Sequence, residues 1–258
     1  MRAGMTAAGF AAALWASPLQ AQDLLATRGG WEVGGQFARY HYEEPDFMWL
    51  KGERVGAAAS YTFASERRTY SRFEVRWSYG ELDYEGSGTL QGVPDYVLEA
   101  RVLAGRDYAA GRLAWSPYLG AGLRLLHNDL RGVSSTGQRG YRRESSYFYV
   151  PLGLILRVPL GAGWVLAPRL EYDGFVRGVQ RSYLSDTGLG ANNVTNGQRR
   201  GRGYRVQLML EGRRWSLGPW LDYWKVKDSD VQPIGLGLAG LEPANWTREA
   251  GVEVRYRF

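Results

Sequence analysis

The chain has 258 residues, of which 45% are apolar and 14% aromatic, a formal net charge of +6 and no cysteine. The missing thiols exclude disulfides, thiolate metal sites and lipid attachment through a cysteine. Mean hydropathy is negative, −0.36, and no segment approaches the ~20 consecutive apolar residues of a spanning helix, so a helical membrane protein is excluded too.

At the amino terminus, Met1 and Arg2 precede an almost uncharged run from Ala3 to Ala16, then Pro18 and Ala21, before the first acid at Asp23. A positive start, a short apolar middle and a small-residue cut site make a secretory signal peptide. Residues 1–21 are assigned to it, with cleavage after Ala21, and residues 22–258 to one all-β domain. Arginine carries most of the positive charge, since Lys stands only at 51, 225 and 227. A basic balance points to nucleic acid in a cytoplasmic chain. An exported chain is expected to meet anionic lipid headgroups instead, and no nucleic acid.

From Trp31 onward the dominant period is 2, which sends successive side chains to opposite faces of a sheet. The first strand, Trp31 to Tyr42, has an odd apolar set (Trp31, Val33, Phe37) and then an even one (Ala38, Tyr40, Tyr42), which predicts a bulge near Gly34 and Gly35. The second sets Val55, Ala57, Ala59, Tyr61 and Phe63 against Arg54, Gly56 and Ser60. The third sets Phe73, Val75, Trp77 and Tyr79 against Arg72, Glu74 and Arg76. Tyr96, Leu98, Ala100 and Val102 oppose Glu99 and Arg101 on the fourth, and Trp115, Leu119, Leu123 and Leu125 oppose Tyr118 and Arg124 on the fifth.

On the sixth, Phe148 to Val158 alternate with Tyr147, Tyr149 and Arg157. The seventh places Trp164, Leu166, Leu170, Tyr172 and Val176 against Arg169, Glu171, Asp173 and Arg177. Tyr204, Val206, Leu208 and Leu210 oppose Arg205 and Glu211 on the eighth, and Trp215, Leu217, Leu221 and Tyr223 oppose Trp220, Asp222 and Trp224 on the ninth. The tenth, up to Phe258, is apolar at Ala250, Val252, Val254, Tyr256 and Phe258, with Glu253, Arg255 and Arg257 between them.

Connections alternate short and long. The long ones are expected at 43–52, 80–94, 128–143, 178–202 and 225–245. Outer-face aromatics fall at strand ends: Tyr61, Phe63, Phe73, Trp115, Trp164, Trp215, Tyr256 and Phe258 near the turns, and Tyr40, Trp77, Tyr79, Tyr96, Tyr204, Tyr223 and Trp246 near the loops. Two such girdles are what membrane interfaces select. The expected fold is an all-β antiparallel transmembrane barrel of ten strands, with eight or twelve as the other counts, short periplasmic turns and long extracellular loops.

The last strand, with Val252, Val254, Tyr256 and a terminal Phe258, resembles the assembly signal of bacterial outer-membrane β-barrel proteins. That resemblance spans the mature chain through the alternation and the girdles. It implies residence in the outer membrane of a Gram-negative bacterium after export through the periplasm, with outer-membrane lipid, lipopolysaccharide and the barrel assembly machinery as partners. It implies no cofactor and leaves the oligomeric state open.

The inward faces carry charges of both signs: Arg72, Glu74, Arg76, Glu99, Arg101, Arg124, Arg169, Glu171, Asp173, Arg205, Glu211, Asp222, Glu253 and Arg255. An arginine-lined channel and a packed ion-pair network are the two readings. Ten strands enclose a lumen near the size that side chains fill, and the signs nearly balance, so the network is expected. The leading functional expectation is a non-enzymatic outer-membrane protein, either structural or a narrow solute pathway.

The alternative is an outer-membrane hydrolase acting at the rim. Ten strands with acids at the mouth resemble the omptin proteases, which pair two Asp residues and an Asp with a His. The nearest equivalents are Asp228 with Asp230 and His127 with Asp129, although here the acid follows the histidine and the Asp pair lies in the last loop. Loop arginines 131, 139, 142, 143, 199, 200 and 202 supply bidentate phosphate donors suited to lipopolysaccharide. Gly235, Gly237 and Gly240 spell a dinucleotide fingerprint but lack the βαβ context it needs. No metal site is expected.

Overall fold

The computed structural model describes residues 25–235 and 237–258, and the expected signal peptide lies outside that range. Ten long strands form one antiparallel ring: β1 (Gly30–Glu44), β2 (Met48–Ala64), β3 (Thr69–Glu85), β4 (Thr89–Arg106), β5 (Leu113–Asp129), β6 (Arg142–Gly161), β7 (Trp164–Ser182), β8 (Gly201–Glu211), β9 (Trp215–Val226) and β10 (Asn245–Arg257). Each pairs with the next in sequence, and β10 pairs back onto β1 from Glu32↔Arg257 to Glu43↔Trp246. Closure leaves no unpaired edge in the ring. Short strands add to it, Tyr108–Ala110 on β5 and Val194–Gln198 on β7.

The alternation dictates the layers. Val33, Phe37, Val102, Leu119, Leu152, Leu170, Val206, Leu217 and Val252 are exposed on the outer wall, while charged residues between them are buried in the lumen. The turn-end girdle includes the tilted pair Trp31 with Tyr61 and the edge-on pair Trp215 with Tyr256. At the loop end Tyr172 meets Tyr204 and Tyr223 stacks near Trp246.

Several expectations are corrected. No bulge interrupts β1 at Gly34 and Gly35, which pair in step with Ala58 and Ala57. The phase changes because Ala38, Tyr40 and Tyr42 are buried inside the lumen, so Tyr40 does not belong to the outer girdle. An apolar face switch in a barrel strand can thus mark an internal core as well as a bulge. Two expected long loops, 43–52 and 80–94, are mostly strand: β1–β2 turn at 45–47 and β3–β4 at 86–88. Arg177 lies on the outer wall opposite Phe148, because a register shift in the β6–β7 ladder resets the phase of β7.

The prolonged strands enclose their own apolar core at the loop end, formed by Tyr40, Tyr42, Leu50, Leu82, Val93 and Leu130. At the turn end the chain ahead of β1 folds into the lumen. There Leu25 packs on Ala114 and Val165, and Asp107 accepts from the Thr27 amide at 2.6 Å and its hydroxyl at 2.8 Å. Both mouths of the ring are therefore occupied by the protein's own chain.

Candidate functional site

The lumen is built in layers, each from side chains that the period of 2 turns inward. At the turn end Glu32 of β1 accepts from Arg72 at 2.6 Å and from Arg257, with Arg255 at 4.0 Å. Beside it, Arg157 donates to Ser116 at 2.8 Å and lies 3.8 Å from the half-buried Glu211. Arg255 is also clamped on Glu253 at 2.6 Å and 3.0 Å.

One layer inward, Glu74 gathers Arg101, Arg72 at 2.9 Å and Arg169 at 3.4 Å. Glu171 takes Arg101 at 2.6 Å, Arg169 at 2.9 Å, the Tyr118 hydroxyl at 2.6 Å and Arg205 at 3.3 Å. In the middle layer Glu99 accepts from Arg205 at 2.7 Å and Tyr149 at 2.6 Å, with Arg76 at 3.6 Å. Asp222 takes Arg76 at 2.6 Å and Arg205 at 2.8 Å. These bonds join β3 to β9 and β4 to β8, strands that are not neighbours in the ring, so they cross the lumen.

Above them, Arg54 binds Asp95, which also accepts from Asn128, and the Arg54 guanidinium lies 3.3 Å over the Tyr40 ring. Arg124 lies 3.9 Å from Glu249 and 5.8 Å over Trp224. Saturation is incomplete here: the Arg124 nitrogens and both Asp173 oxygens are buried without a hydrogen bond. Such groups cost ~1–3 kcal/mol each. Glu99, Arg124, Asp173, Arg205, Asp222, Tyr149 and Trp224 all expose 2% or less of their surface. A water-filled pore at this level would leave them accessible. A turn-end cavity bounded by Glu32, Arg72, Arg169 and Arg255 measures about 40 Å³.

The loop-end layer closes over Arg143 of β6, which binds both Glu44 of β1 and Glu242 of the last loop. Tyr42 donates to Glu44 at 2.8 Å. Burial pushes the Glu242 carboxyl up to about 7, with the second acid, Glu44, adding to the rise and the Arg143 charge opposing it. Under this latch a cavity of about 90 Å³ is lined by Met48, Tyr84, Leu90, Leu130 and Tyr141.

The rim residues of the hydrolase alternative are not brought together across the mouth. His127 lies on the outer wall, stacked on Tyr96 at 4.7 Å and 3.5 Å from Glu144. Asp129 is held by Arg131 at 2.6 Å. Asp228 and Asp230 serve the loop backbone, accepting from the Ala244 and Gly197 amides, each at 2.6 Å. Among the described residues no group of His and acids is arranged to hold a metal. Of the assembly residues, Val252 and Val254 lie exposed on the outer wall, and Phe258, 77% exposed, meets Tyr256 edge-on at 5.1 Å.

Sequence reasoning missed Glu32, Asp95, Asp107 and the Arg143 latch. Arg54 and Glu32 share the inward phase of their strands, so that signal was present. Asp107 lies between strands and Glu242 in a loop, where no period exists to read.

No family model and no curated protein matches the chain. Solved structures do resemble it. The outer membrane protease OmpT from Escherichia coli aligns with a TM-score of 0.53 at 10% identity, over 89% of this chain and 94% of that one. The translocator domain of the autotransporter NalP from Neisseria meningitidis aligns at 0.42 and 15% identity, over 93% of each chain. The Pseudomonas putida toluene transporter TodX aligns at 0.39 and 12%, over 92% and 91%. With its closed antiparallel ring of ten strands, apolar outer wall and girdled ends, the chain shares the barrel fold of the outer membrane protease structure.

Proposed function

We propose that the protein is an integral outer-membrane barrel whose lumen is a structural ion-pair core and not a solute pathway, reached by export through the periplasm. The observation that carries this reading is the buried lattice of Arg76, Glu99, Arg205 and Asp222, in which Arg76–Asp222 and Arg205–Glu99 join non-adjacent strands across the lumen and Arg76–Glu99 and Arg205–Asp222 join neighbours. Buried charges persist only when paired, and these pair with each other. The apolar outer wall supports a lipid surrounding, since a barrel alone among β structures satisfies every backbone group within a bilayer. Each mouth is filled as well, by the Thr27 segment below and the Arg143 latch above.

The test is single-channel conductance in a planar bilayer, using protein whose gel mobility changes on boiling, which shows a closed barrel. Few or no conducting events at moderate voltage are expected. Steady conductance from such material would establish a solute pathway instead.

A further inference from the structure

The outer wall of β7–β10 shows a segregation of charge that the lumen does not explain. The acids of these four strands are Glu171, Asp173, Glu211, Asp222, Glu249 and Glu253, and all turn into the lumen, all but the half-buried Glu211 fully buried. On the outer side, just past the apolar wall, stand Arg177, Arg202, Lys225 and Arg248. Arg202 and Lys225 are register partners, and Arg248 stands opposite Tyr223 on the next strand. None of the four has a carboxylate partner among the described residues.

Three arginines of the third loop differ, with Arg131 neutralised by Asp129, Arg142 by Asp186 and Arg143 by Glu44 and Glu242, while Arg139 reaches only the Thr187 carbonyl at 3.5 Å. On the opposite side of the barrel the outer wall of β3 is acidic, with Asp83 facing Lys51 and Glu85 facing Trp49. The four unpaired cations of β7–β10 thus stand on neighbouring strands. They sit beside Tyr204, Tyr223 and Trp246, rings of the loop-end girdle, at the height where headgroups meet acyl chains. Neighbouring strands lie ~4.8 Å apart, so Arg202, Lys225 and Arg248 spread over ~10 Å, wider than one phosphate. Below them Val206, Leu208 and Leu221 are exposed.

We infer that the loop-end face of β8–β10 binds an outer-leaflet lipid whose headgroup carries two phosphates, with its chains laid along Val206, Leu208 and Leu221. The inference rests on the membrane reading above. Arginine pairs with phosphate bidentately, and each cation near an anionic headgroup adds to affinity.

The test uses folded, heat-modifiable protein in phosphatidylcholine nanodiscs doped with cardiolipin, a two-phosphate lipid, or phosphatidylglycerol, a one-phosphate lipid. Native mass spectrometry counts the lipid retained. Cardiolipin is expected to be retained about tenfold more strongly than phosphatidylglycerol, and the triple variant Arg202→Gln, Lys225→Gln, Arg248→Gln to lose that preference. A control variant, Arg131→Gln, is expected to stay within about twofold of the parent. Should the triple variant not fold, single Arg248→Gln and a salt titration of the unaltered protein give the same reading, with retention falling as salt rises.

Equal retention of both lipids, or a triple variant that behaves like the parent, overturns the site. Displacement of cardiolipin by equimolar inorganic pyrophosphate also overturns it, since the ligand is then soluble phosphate and not a lipid. All three outcomes leave the barrel reading standing, because the same preparation is heat-modifiable. Loss of heat modifiability would instead undo the membrane reading itself.

Discussion

The Arg205 guanidinium on β8 donates to Glu99 on β4 at 2.7 Å and to Asp222 on β9 at 2.8 Å, so one side chain ties three walls of the barrel together. Replacing Glu99 by Ala removes the acid shared by Arg205, Arg76 and Tyr149. The expected cost is ~3–5 kcal/mol, the penalty of leaving a buried charge without its partner. The midpoint of the gel-mobility transition in urea measures it. Glu53→Ala, which removes an exposed partner of Arg39 at 3.6 Å, should change that midpoint little. Equal shifts for the two variants would contradict a packed charged core.

Aromatic rings lie flat on inward glycines, and one pair offers a sharp packing test. A Cβ added at Gly153 would overlap the Tyr118 ring. That ring cannot swing aside, because its hydroxyl is held by Glu171 at 2.6 Å and by Arg169. Gly153→Ala should therefore destabilise by ~1–3 kcal/mol, as overpacking does. At Gly35 the nearest atom to an added Cβ is 3.9 Å away, so Gly35→Ala should be tolerated. Thermal melting by circular dichroism compares the two, and a tolerated Gly153→Ala would show that the Tyr118 side of the lumen is loosely packed.

Glu242 gives the loop-end latch a pH dependence whose sign is set by its raised carboxyl. With a folded value of about 7 against an ordinary 4.5, the protonated form is favoured in the folded state. Its contribution is fully present below about pH 4.5 and is lost as pH rises through about 7, a change of ~3 kcal/mol in the latch. Hydrogen exchange of the Glu242 and Ala244 amides, which donate to Ser229 at 2.8 Å and Asp228 at 2.6 Å, reads the opening. Corrected for intrinsic rates, protection should fall between about pH 4.5 and pH 7 and level off above that. Glu242→Gln should make it flat, and a pH response unchanged by that substitution would assign the effect elsewhere.

Phe258 separates assembly from folding. Its amide donates to the Trp31 carbonyl at 3.1 Å, while its ring is largely exposed and touches Tyr256. Phe258→Ala should therefore refold in detergent with an unchanged heat shift, yet yield several-fold less surface-exposed protein in cells. Normal cellular yield would remove the assembly role drawn from the resemblance of the last strand.

What the sequence by itself determined is the barrel: a period of 2 in ten strands leaves only two faces, and it sets an apolar outer face against a charged inner one. The inward placement of Arg101, Glu171 or Asp222 follows from the same parity. Tertiary structure alone decided which charges meet, because Arg205 and Glu99 are 106 positions apart and join across the lumen, where no strand period reaches. It also decided that Tyr40 and Tyr42 face inward, since parity names two faces without saying which one an aromatic pair will fill. The outer-wall cations followed the same logic. Arg177 reads as a lumen residue by parity, and only the register shift between β6 and β7 turns it outward. Arg202 and Lys225 become neighbours only because β8 and β9 pair in a register that no local pattern specifies.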